Sequence, residues 1–197
     1  MLELPKSTFF GRIIAKDKIC SHAKANSELK DIFAKQVERI RWLNKISPAT
    51  LNIAQGEHVK EIQVIEVSLS TSTPDKRILQ TIIKGIRYKI IFALVYGGKT
   101  TYAVYYDSKT SFTSDTPPKF VGNDTDSIWN SILIQMRGSA LDKGKTIDEQ
   151  IASDAVREGM IRHIERLKKQ ARSEKQPRRK WKLAEEAKLL NEKIYER

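Results

Sequence analysis

Residues 61–106 read EIQVIEVSLSTSTPDKRILQTIIKGIRYKIIFALVYGGKTTYAVYY and contain the patterns from which a β-sheet can be predicted. Residues 61–69 and 88–96 are rich in β-branched and aromatic side chains, which is typical of buried strands. Between them, the Thr-Pro pair at 73–74 predicts the start of a helix and Gly85 its end. A strand, a helix and a strand in this order predict a right-handed crossover between two parallel strands.

A tight hairpin follows the second of these strands. Gly97 and Gly98 separate two β-rich segments, and both residues can adopt the positive φ of a type I′ turn. Residues 100–106 should therefore form a strand antiparallel to 88–96. A parallel and an antiparallel connection together predict a mixed sheet.

Helices and one loop are expected on either side of this region. Ser27 suits the N-cap of a helix that runs to about Trp42 along an apolar stripe. Residues 107–124 are polar and contain two prolines, which predicts a long surface loop. Asp126 can then cap a helix that covers the sheet and ends before Gly138.

The C-terminal part predicts a helical hairpin. Residues 148–173 form one helical pattern with a narrow apolar stripe, and Pro177 interrupts it. After the proline, apolar residues repeat at the spacing of a coiled-coil seam. The predicted seam is Leu183, Ala187, Leu190 and Ile194. We therefore expect an α+β fold, with a small mixed sheet covered by helices in residues 1–146 and an antiparallel, coiled-coil-like two-helix hairpin in residues 147–197.

The charge of the chain is concentrated in this hairpin. Lysine and arginine number 36 against 24 acidic residues, a net charge of +12. Residues 162–182 hold ten of these cations and two acids, a net of 10 − 2 = +8. Polyanions are the partners that such a segment favours, and nucleic acid is the first candidate. The turn should gather eight cations at one tip: Lys168, Lys169, Arg172, Lys175, Arg178, Arg179, Lys180 and Lys182.

Four segments resemble one protein family. They are LPKSTFFGRIIAKDKI at 4–19, IRWLNKISPATLNIAQGEHVKEIQVIEVSL at 40–69, GIRYKIIFALVYGGK at 85–99 and LKKQARSEKQPRRKWKLAEEAKLLNEKI at 167–194. Together they are similar to the bacterial and archaeal domain of unknown function 4391 family over nearly the whole chain. The resemblance implies no assigned chemistry. It implies a gene neighbourhood with DNA methyltransferases and helicases, as in restriction-like defence, and hence a helicase or methyltransferase subunit as a partner.

A metal-dependent nuclease is one activity to weigh in that setting. Glu61 and Glu66 lie five residues apart on the central strand, so their side chains should point to opposite faces of the sheet. A site would need Glu66 together with Glu38, Asp75 or Asp107. The resemblance implies that relatives often carry a lysine at the end of this strand, where this chain has Ser68, Leu69 and Ser70. The simpler interpretation is that these acids pair with nearby lysines and arginines.

Other chemical motifs are missing from the sequence. His22, His58 and His163 lack zinc-ligand spacing, and Cys20 is the only cysteine. No phosphate-binding glycine loop and no nucleophile elbow is present. We therefore expect no catalytic residue, no metal and no cofactor.

The aromatic residues favour packing over base stacking. Half of the tyrosines on strands 88–96 and 100–106 must face the core. Trp181 lies among the tip cations and is expected to fold back across the hairpin.

The protein is expected to be cytoplasmic. Residues 1–12 lack the features of a secretory signal, and the longest apolar run, 90–96, is far shorter than the roughly 20 residues that cross a bilayer. A membrane partner is not expected.

The sequence is compatible with three functions. The leading hypothesis is a non-catalytic accessory protein that binds nucleic acid or an enzyme subunit, or both, in a DNA-modification or defence-type system. The first alternative is a protein-interaction or oligomerisation module, for example a homodimer formed through the seam. The second is a divergent metal-dependent nuclease.

Overall fold

The computed structural model describes residues 2–108 and 110–195, with only the backbone described at 194 and 195. Its helices and strands follow in the order β1 (Phe9–Ile14), α1 (Lys16–His22), α2 (Ser27–Gln36), β2 (Val37–Ile46), α3 (Pro48–Leu51), β3 (Ile62–Leu69), α4 (Lys76–Ile86), β4 (Lys89–Tyr96), β5 (Lys99–Tyr105), β6 (Ser111–Ser114), α5 (Thr125–Arg137), α6 (Ile147–Ser173) and α7 (Pro177–Tyr195). A turn of 3-10 helix, Lys6–Thr8, precedes β1. The chain divides into two compact units, the body (Met1–Ala140) and the hairpin unit (Leu141–Arg197).

The body is built on a mixed sheet whose strands lie in sequence order, β1-β2-β3-β4-β5-β6. Strands β3 and β4 are parallel, and the other neighbouring pairs are antiparallel. Gly97 and Gly98 have φ of 55° and 78°, and Tyr96 pairs with Lys99 across the turn. The predicted parallel strands around a helix, the hairpin and the α+β class are therefore confirmed.

The main core of the body lies on one face of the sheet. Alternate residues of β3, among them Ile65 and Val67, pack there with Phe92 of β4. Helices α1, α2 and α4 cover this face with side chains such as Phe33 and Ile82. Cys20 belongs to the same cluster, and burial raises the pKa of its thiol. Cys20 thus packs as a small apolar side chain.

The predicted helix from Ser27 to Trp42 is wrong in its second half. Helix α2 ends at Gln36, and β2 begins at Val37. The β2–β3 register shifts between Val37 and Arg39, as a β-bulge does. Val37 therefore pairs with Leu69 and Ile40 with Val67, which puts two residues three apart on one face of the sheet. This spacing imitates the apolar stripe of a helix.

Three smaller expectations also need correction. Helix α4 begins at Lys76, two residues later than predicted, and Asp75 is its N-cap. The loop predicted at 107–124 contains β6, which extends the sheet beside β5. Asp124 is the N-cap of α5, whereas Asp126 lies in the first turn. The carboxylate of Asp126 accepts hydrogen bonds from the backbone N–H groups of residues 57–59.

The hairpin unit consists of α6, a three-residue connection (174–176) and α7. Thr146 caps α6 through a capping box with Glu149, and Pro177 is the first residue of α7. Ile164, Leu167 and Ala187 are buried between the two helices. The predicted helical hairpin is confirmed. Within the described residues, no helix is long and apolar enough to cross a membrane.

Candidate nucleic-acid interface

The tip of the hairpin unit carries the eight cations that the sequence singled out. Lys168, Lys169 and Arg172 belong to the last turns of α6. Lys175 lies in the connection, and the other four occupy the first two turns of α7. All eight are exposed. We call this set the cationic tip.

The cationic tip is not neutralised from within. Among residues 2–108 and 110–195, none of its members forms a salt bridge. Glu174, the nearest acid in sequence, uses its Oε1 to accept a hydrogen bond of 2.9 Å from the backbone N–H of Gln176. Glu186 faces His163 at 4.0 Å instead. The positive charge of the tip is therefore directed towards solvent.

A groove of about 420 Å³ runs along the hairpin behind this tip. Its apolar lining is made of small side chains, those of Ala171, Ala184 and Ala187. Because alanine projects little beyond the backbone, an extended molecule can approach the helices closely.

Cations from both helices line the groove: Lys168, Arg172, Lys180 and Lys188. The structure thus brings three of the eight predicted residues into one concave surface and leaves the other five outside its lining.

The fourth cation of the groove, Lys188, was missed from the sequence. It stands eight residues after Lys180, and this spacing keeps both side chains within one broad face of a helix. Its ammonium lies 4.0 Å from the carboxylate of Glu192. The spacing could have identified Lys188, which lies beyond the dense run of cations at 178–182.

Trp181 departs from its expected position. Its side chain is 63% exposed, so it does not fold back under the hairpin. It lies between Lys180 and Lys182 in sequence, in the first turns of α7. An exposed indole beside cations can stack on a planar ring.

The predicted seam lies at the contact between the two helices. Ala187 is 1% exposed, and Leu183 and Leu190 pack against the cluster that contains Ile164 and Leu167. The side chain of Ile194 lies outside the described residues. The seam residues whose side chains are described are therefore used within the chain.

Comparison with known families agrees with the resemblance noted in the sequence. The model of the family described as Domain of unknown function (DUF4391) matches residues 2–194. The chain belongs to this family. No curated protein and no solved structure matches it.

In this DUF4391 chain, the carboxylates considered for a nuclease are held by cations. Glu66 lies 3.3 Å from Arg41 and 3.8 Å from Arg39 on the neighbouring strand. Glu61 contacts Lys45 at 2.6 Å. In the part of the chain that is described, no group of three histidine, cysteine or acidic residues is arranged to hold a metal ion.

Of the remaining acids of that hypothesis, Asp75 and Asp107 are engaged elsewhere, and Glu38 is exposed on β2. Asp75 binds Arg77, whose side-chain and backbone hydrogen bonds lower the pKa of the carboxyl. Arg77 also donates to Glu28 at 2.8 Å. Asp107 accepts from the backbone N–H of Thr110 at 2.7 Å. These contacts stabilise the body of the DUF4391 fold.

The tyrosines of the DUF4391 sheet divide between core and surface. Tyr102 is buried, and burial raises the pKa of its phenol. Tyr105 packs edge-on against Phe92 with ring centroids 6.4 Å apart. Tyr88 and Tyr96 are 47% and 44% exposed. The sheet thus offers no continuous row of exposed rings among these residues.

Proposed function

We propose that this protein is a non-catalytic accessory protein that binds nucleic acid through the cationic tip and the adjoining groove. One observation carries the proposal: eight exposed cations at one end of a hairpin have no acidic partner among the described residues. In this proposal the body engages an enzyme subunit that acts on the same nucleic acid, in a DNA-modification or defence-type system.

Phosphate groups are the natural counterions of such a surface. Lysine and arginine that are already paired gain little from a phosphate, because an existing contact must first be broken. Cations in open solvent displace condensed counterions from nucleic acid, and this release supplies much of the binding free energy. The proposal therefore predicts binding with little sequence preference and a strong dependence on salt.

The groove suggests how a strand could lie on the protein. Its alanine lining permits close approach, and Lys168 and Arg172 of α6 and Lys180 of α7, unpaired among the described residues, stand around the same space. Lys188 lines the groove too, but it already lies 4.0 Å from Glu192. Such a channel suits a phosphate backbone that follows the hairpin. Trp181 adds a surface on which an unpaired base can stack, worth about 1–3 kcal/mol.

The rival functions have less support. An oligomer formed through the predicted seam would have to compete with the contacts that Leu183, Ala187 and Leu190 already make inside the hairpin. A nuclease centred on Glu66 would have to release this carboxylate from Arg41 and Arg39. Neither rearrangement is needed for the cationic tip to bind phosphates.

The test is a binding titration of labelled duplex and single-stranded oligonucleotides at several salt concentrations. Each phosphate contact adds about 0.9 to the log–log salt slope for duplex DNA. Charge reversal by Arg178→Glu with Arg179→Glu should lower the slope by about 2 and weaken binding at least about tenfold. Trp181→Ala should weaken single-stranded binding and leave duplex binding nearly unchanged.

A matched control reverses two exposed cations far from the tip in sequence, Lys30→Glu with Lys35→Glu on α2. This control has the same net charge as the tip variant, so a difference between the two is due to position. Absence of binding at low salt, or equal loss in both double variants, would refute the proposal. Sedimentation of the same samples shows whether the protein self-associates, which is the outcome that the interaction-module alternative requires.

A further inference from the structure

A second concave surface lies in the body, on the face of the sheet that α1 and α4 cover. It is a cleft of about 620 Å³ between α1, the end of α4 and strands β1 to β3. Its walls are apolar and include Ile14, Ile19, Ile65 and Ile86. A volume of this size accommodates a ligand of roughly nucleotide size. We call this surface the body cleft.

Gln63 lines the body cleft, and in the described part of the chain the oxygen of its side chain is a buried atom without a hydrogen-bond partner. Gln63 is 2% exposed, and among the described residues no group donates a hydrogen bond to its Oε1. The other end of the amide is fixed, because Nε2 donates to Oε2 of Glu61 at 3.0 Å. Glu61 in turn contacts Lys45 at 2.6 Å through Oε1. This chain of contacts sets the orientation of the amide and leaves one acceptor for a donor that the protein does not supply.

Buried acceptors without a partner are uncommon in folded proteins because they lose their interaction with water on folding. The buried acceptor of a residue that lines a cleft can be satisfied by a ligand that inserts between the side chains around it. The fixed amide accepts and does not donate at this position, so it selects a ligand whose inserted edge carries an N–H group.

The surroundings specify the rest of the ligand. Arg12 and Lys18 line the body cleft, are exposed and form no salt bridge with the described residues. The Lys45–Glu61 pair is neutral as a whole, so these two cations give the cleft its positive charge. Trp42 and Tyr88 add aromatic side chains to the lining. A flat ring with an N–H edge and an attached anionic group matches all of these features.

We infer that the body cleft binds a nucleoside monophosphate, with the base edge donating to Gln63 Oε1 and the phosphate near Arg12 and Lys18. This site is independent of the cationic tip, because its residues belong to the body. Failure of one proposal therefore leaves the other intact.

The experiment measures thermal shifts and calorimetric binding with the full chain. The probes are the four nucleoside 5′-monophosphates, the corresponding nucleosides, inorganic phosphate and a 5′-phosphorylated dinucleotide. At least one monophosphate should bind more tightly than its nucleoside, and phosphate alone should bind weakly. A dinucleotide that binds as tightly as the mononucleotide supports the site and identifies the end of a strand as its source.

Two glutamine variants separate a ligand role from a structural one. Gln63→Met keeps the volume and removes the unpaired acceptor together with the bond from Nε2 to Glu61, which is partly exposed and keeps its contact with Lys45. Binding should fall about tenfold or more, while the melting temperature should fall less than in the control variant below. Gln150→Met is the matched control in the hairpin unit. Gln150 is also 3% exposed, but both ends of its amide are bonded, to Asp142 N and to Asp154. This control should melt at a lower temperature and bind nucleotide as the unmodified protein does.

A charge pair completes the design. Arg12→Gln with Lys18→Gln should reduce monophosphate affinity to that of the nucleoside, whereas Lys30→Gln with Lys35→Gln should not. The inference is overturned if no probe binds at millimolar concentration, or if Gln63→Met binds as tightly as the unmodified protein.

Discussion

Asp126 offers a quantitative test of how the body is held together. Its half-buried carboxylate accepts backbone hydrogen bonds from Glu57 at 2.8 Å, His58 at 3.1 Å and Val59 at 2.6 Å. These bonds tie the segment before β3 to the first turn of α5, which is 67 residues away from Val59 in sequence. Asp126→Asn keeps the shape of the side chain and one accepting oxygen, but it removes the charge and the second acceptor.

The expected loss follows from the number of bonds affected. Hydrogen bonds to a charged group contribute about 1.5–3 kcal/mol each, and an amide nitrogen would face the N–H donors of Glu57 and His58. We expect Asp126→Asn to lower the free energy of unfolding by about 2–4 kcal/mol. For a unit of this size, such a loss lowers the melting temperature by about 10 °C.

The effect should also depend on pH. Burial alone would raise the pKa of Asp126, but the backbone donors outweigh it, so that the pKa is lowered in the folded protein. The unfolded carboxyl titrates near about 3.9. A lowered folded pKa gives stability that is present above this pH and is lost as the pH falls through the folded value. The difference between the unmodified protein and Asp126→Asn should therefore shrink as the pH falls below about 4.

Urea denaturation followed by circular dichroism at neutral and acidic pH measures both quantities. Asp31→Asn, at an exposed position of α2, is the control and should change the free energy of unfolding by less than about 0.5 kcal/mol. A neutral-pH loss no larger than that of the control would refute the reasoning. So would a loss that stays the same in acid, because the charge of Asp126 would then contribute nothing.

Two further predictions concern packing and backbone conformation. Leu167→Ala should lower the free energy of unfolding by about 2–4 kcal/mol, because Leu167 is 5% exposed and packs beside Ile164 and Ala187. The helical circular dichroism signal should then be lost at a lower temperature, and an unchanged melting curve would contradict this packing. Gly98→Ala should lower the free energy of unfolding by about 1–2 kcal/mol. The cause is the positive φ of 78°, since no atom lies within 4 Å of an added Cβ. Gly159→Ala, within helix α6, should instead raise the free energy of unfolding by about 0.5–1 kcal/mol, because alanine favours the helix. If urea denaturation gave the same change for both variants, backbone conformation would not explain the loss at Gly98.

The central part of the fold was predictable because its sequence signals are local. The apolar strands, the Gly97-Gly98 turn and the crossover between β3 and β4 follow from patterns within about 45 residues of chain. The start of β2 was not predictable in this way. The bulge between Val37 and Arg39 exists only in the pairing with β3, so a local pattern of buried residues three apart indicated a helix.

Elements at the edge of the sheet were missed for a related reason. Strand β6 has four residues, and its sequence, SFTS, is polar apart from Phe112. Its pairing with β5, rather than its own composition, makes it a strand. Strand β1, Phe9–Ile14, contains Gly11 with a φ of 63°, and its register with β2 is irregular at this point. Edge strands with irregularities carry weak periodicity, since one side of each remains open.

The candidate sites differ in how much of them the sequence predicts. A cationic tip follows from charge density and one turn, which are visible in the sequence. The body cleft combines Arg12, Trp42, Gln63 and Ile86 from distant segments, and no short motif connects them. The buried acceptor of Gln63 becomes visible only when burial and hydrogen bonds are known, because an isolated glutamine in a strand carries no sequence signal.

Several arginines of the body form salt bridges, whereas the cations of the tip are unpaired among the described residues. Arg41 contacts Glu66 across two strands, and Arg77 contacts both Asp75 and Glu28. Two like charges about 10 Å apart in water repel by about 0.4 kcal/mol, so a cluster of unpaired cations opposes folding at low salt. The hairpin retains this repulsion although its buried core is small. A polyanion relieves this repulsion when it binds. The repulsion therefore lowers the stability of the unbound protein and favours the complex with the polyanion.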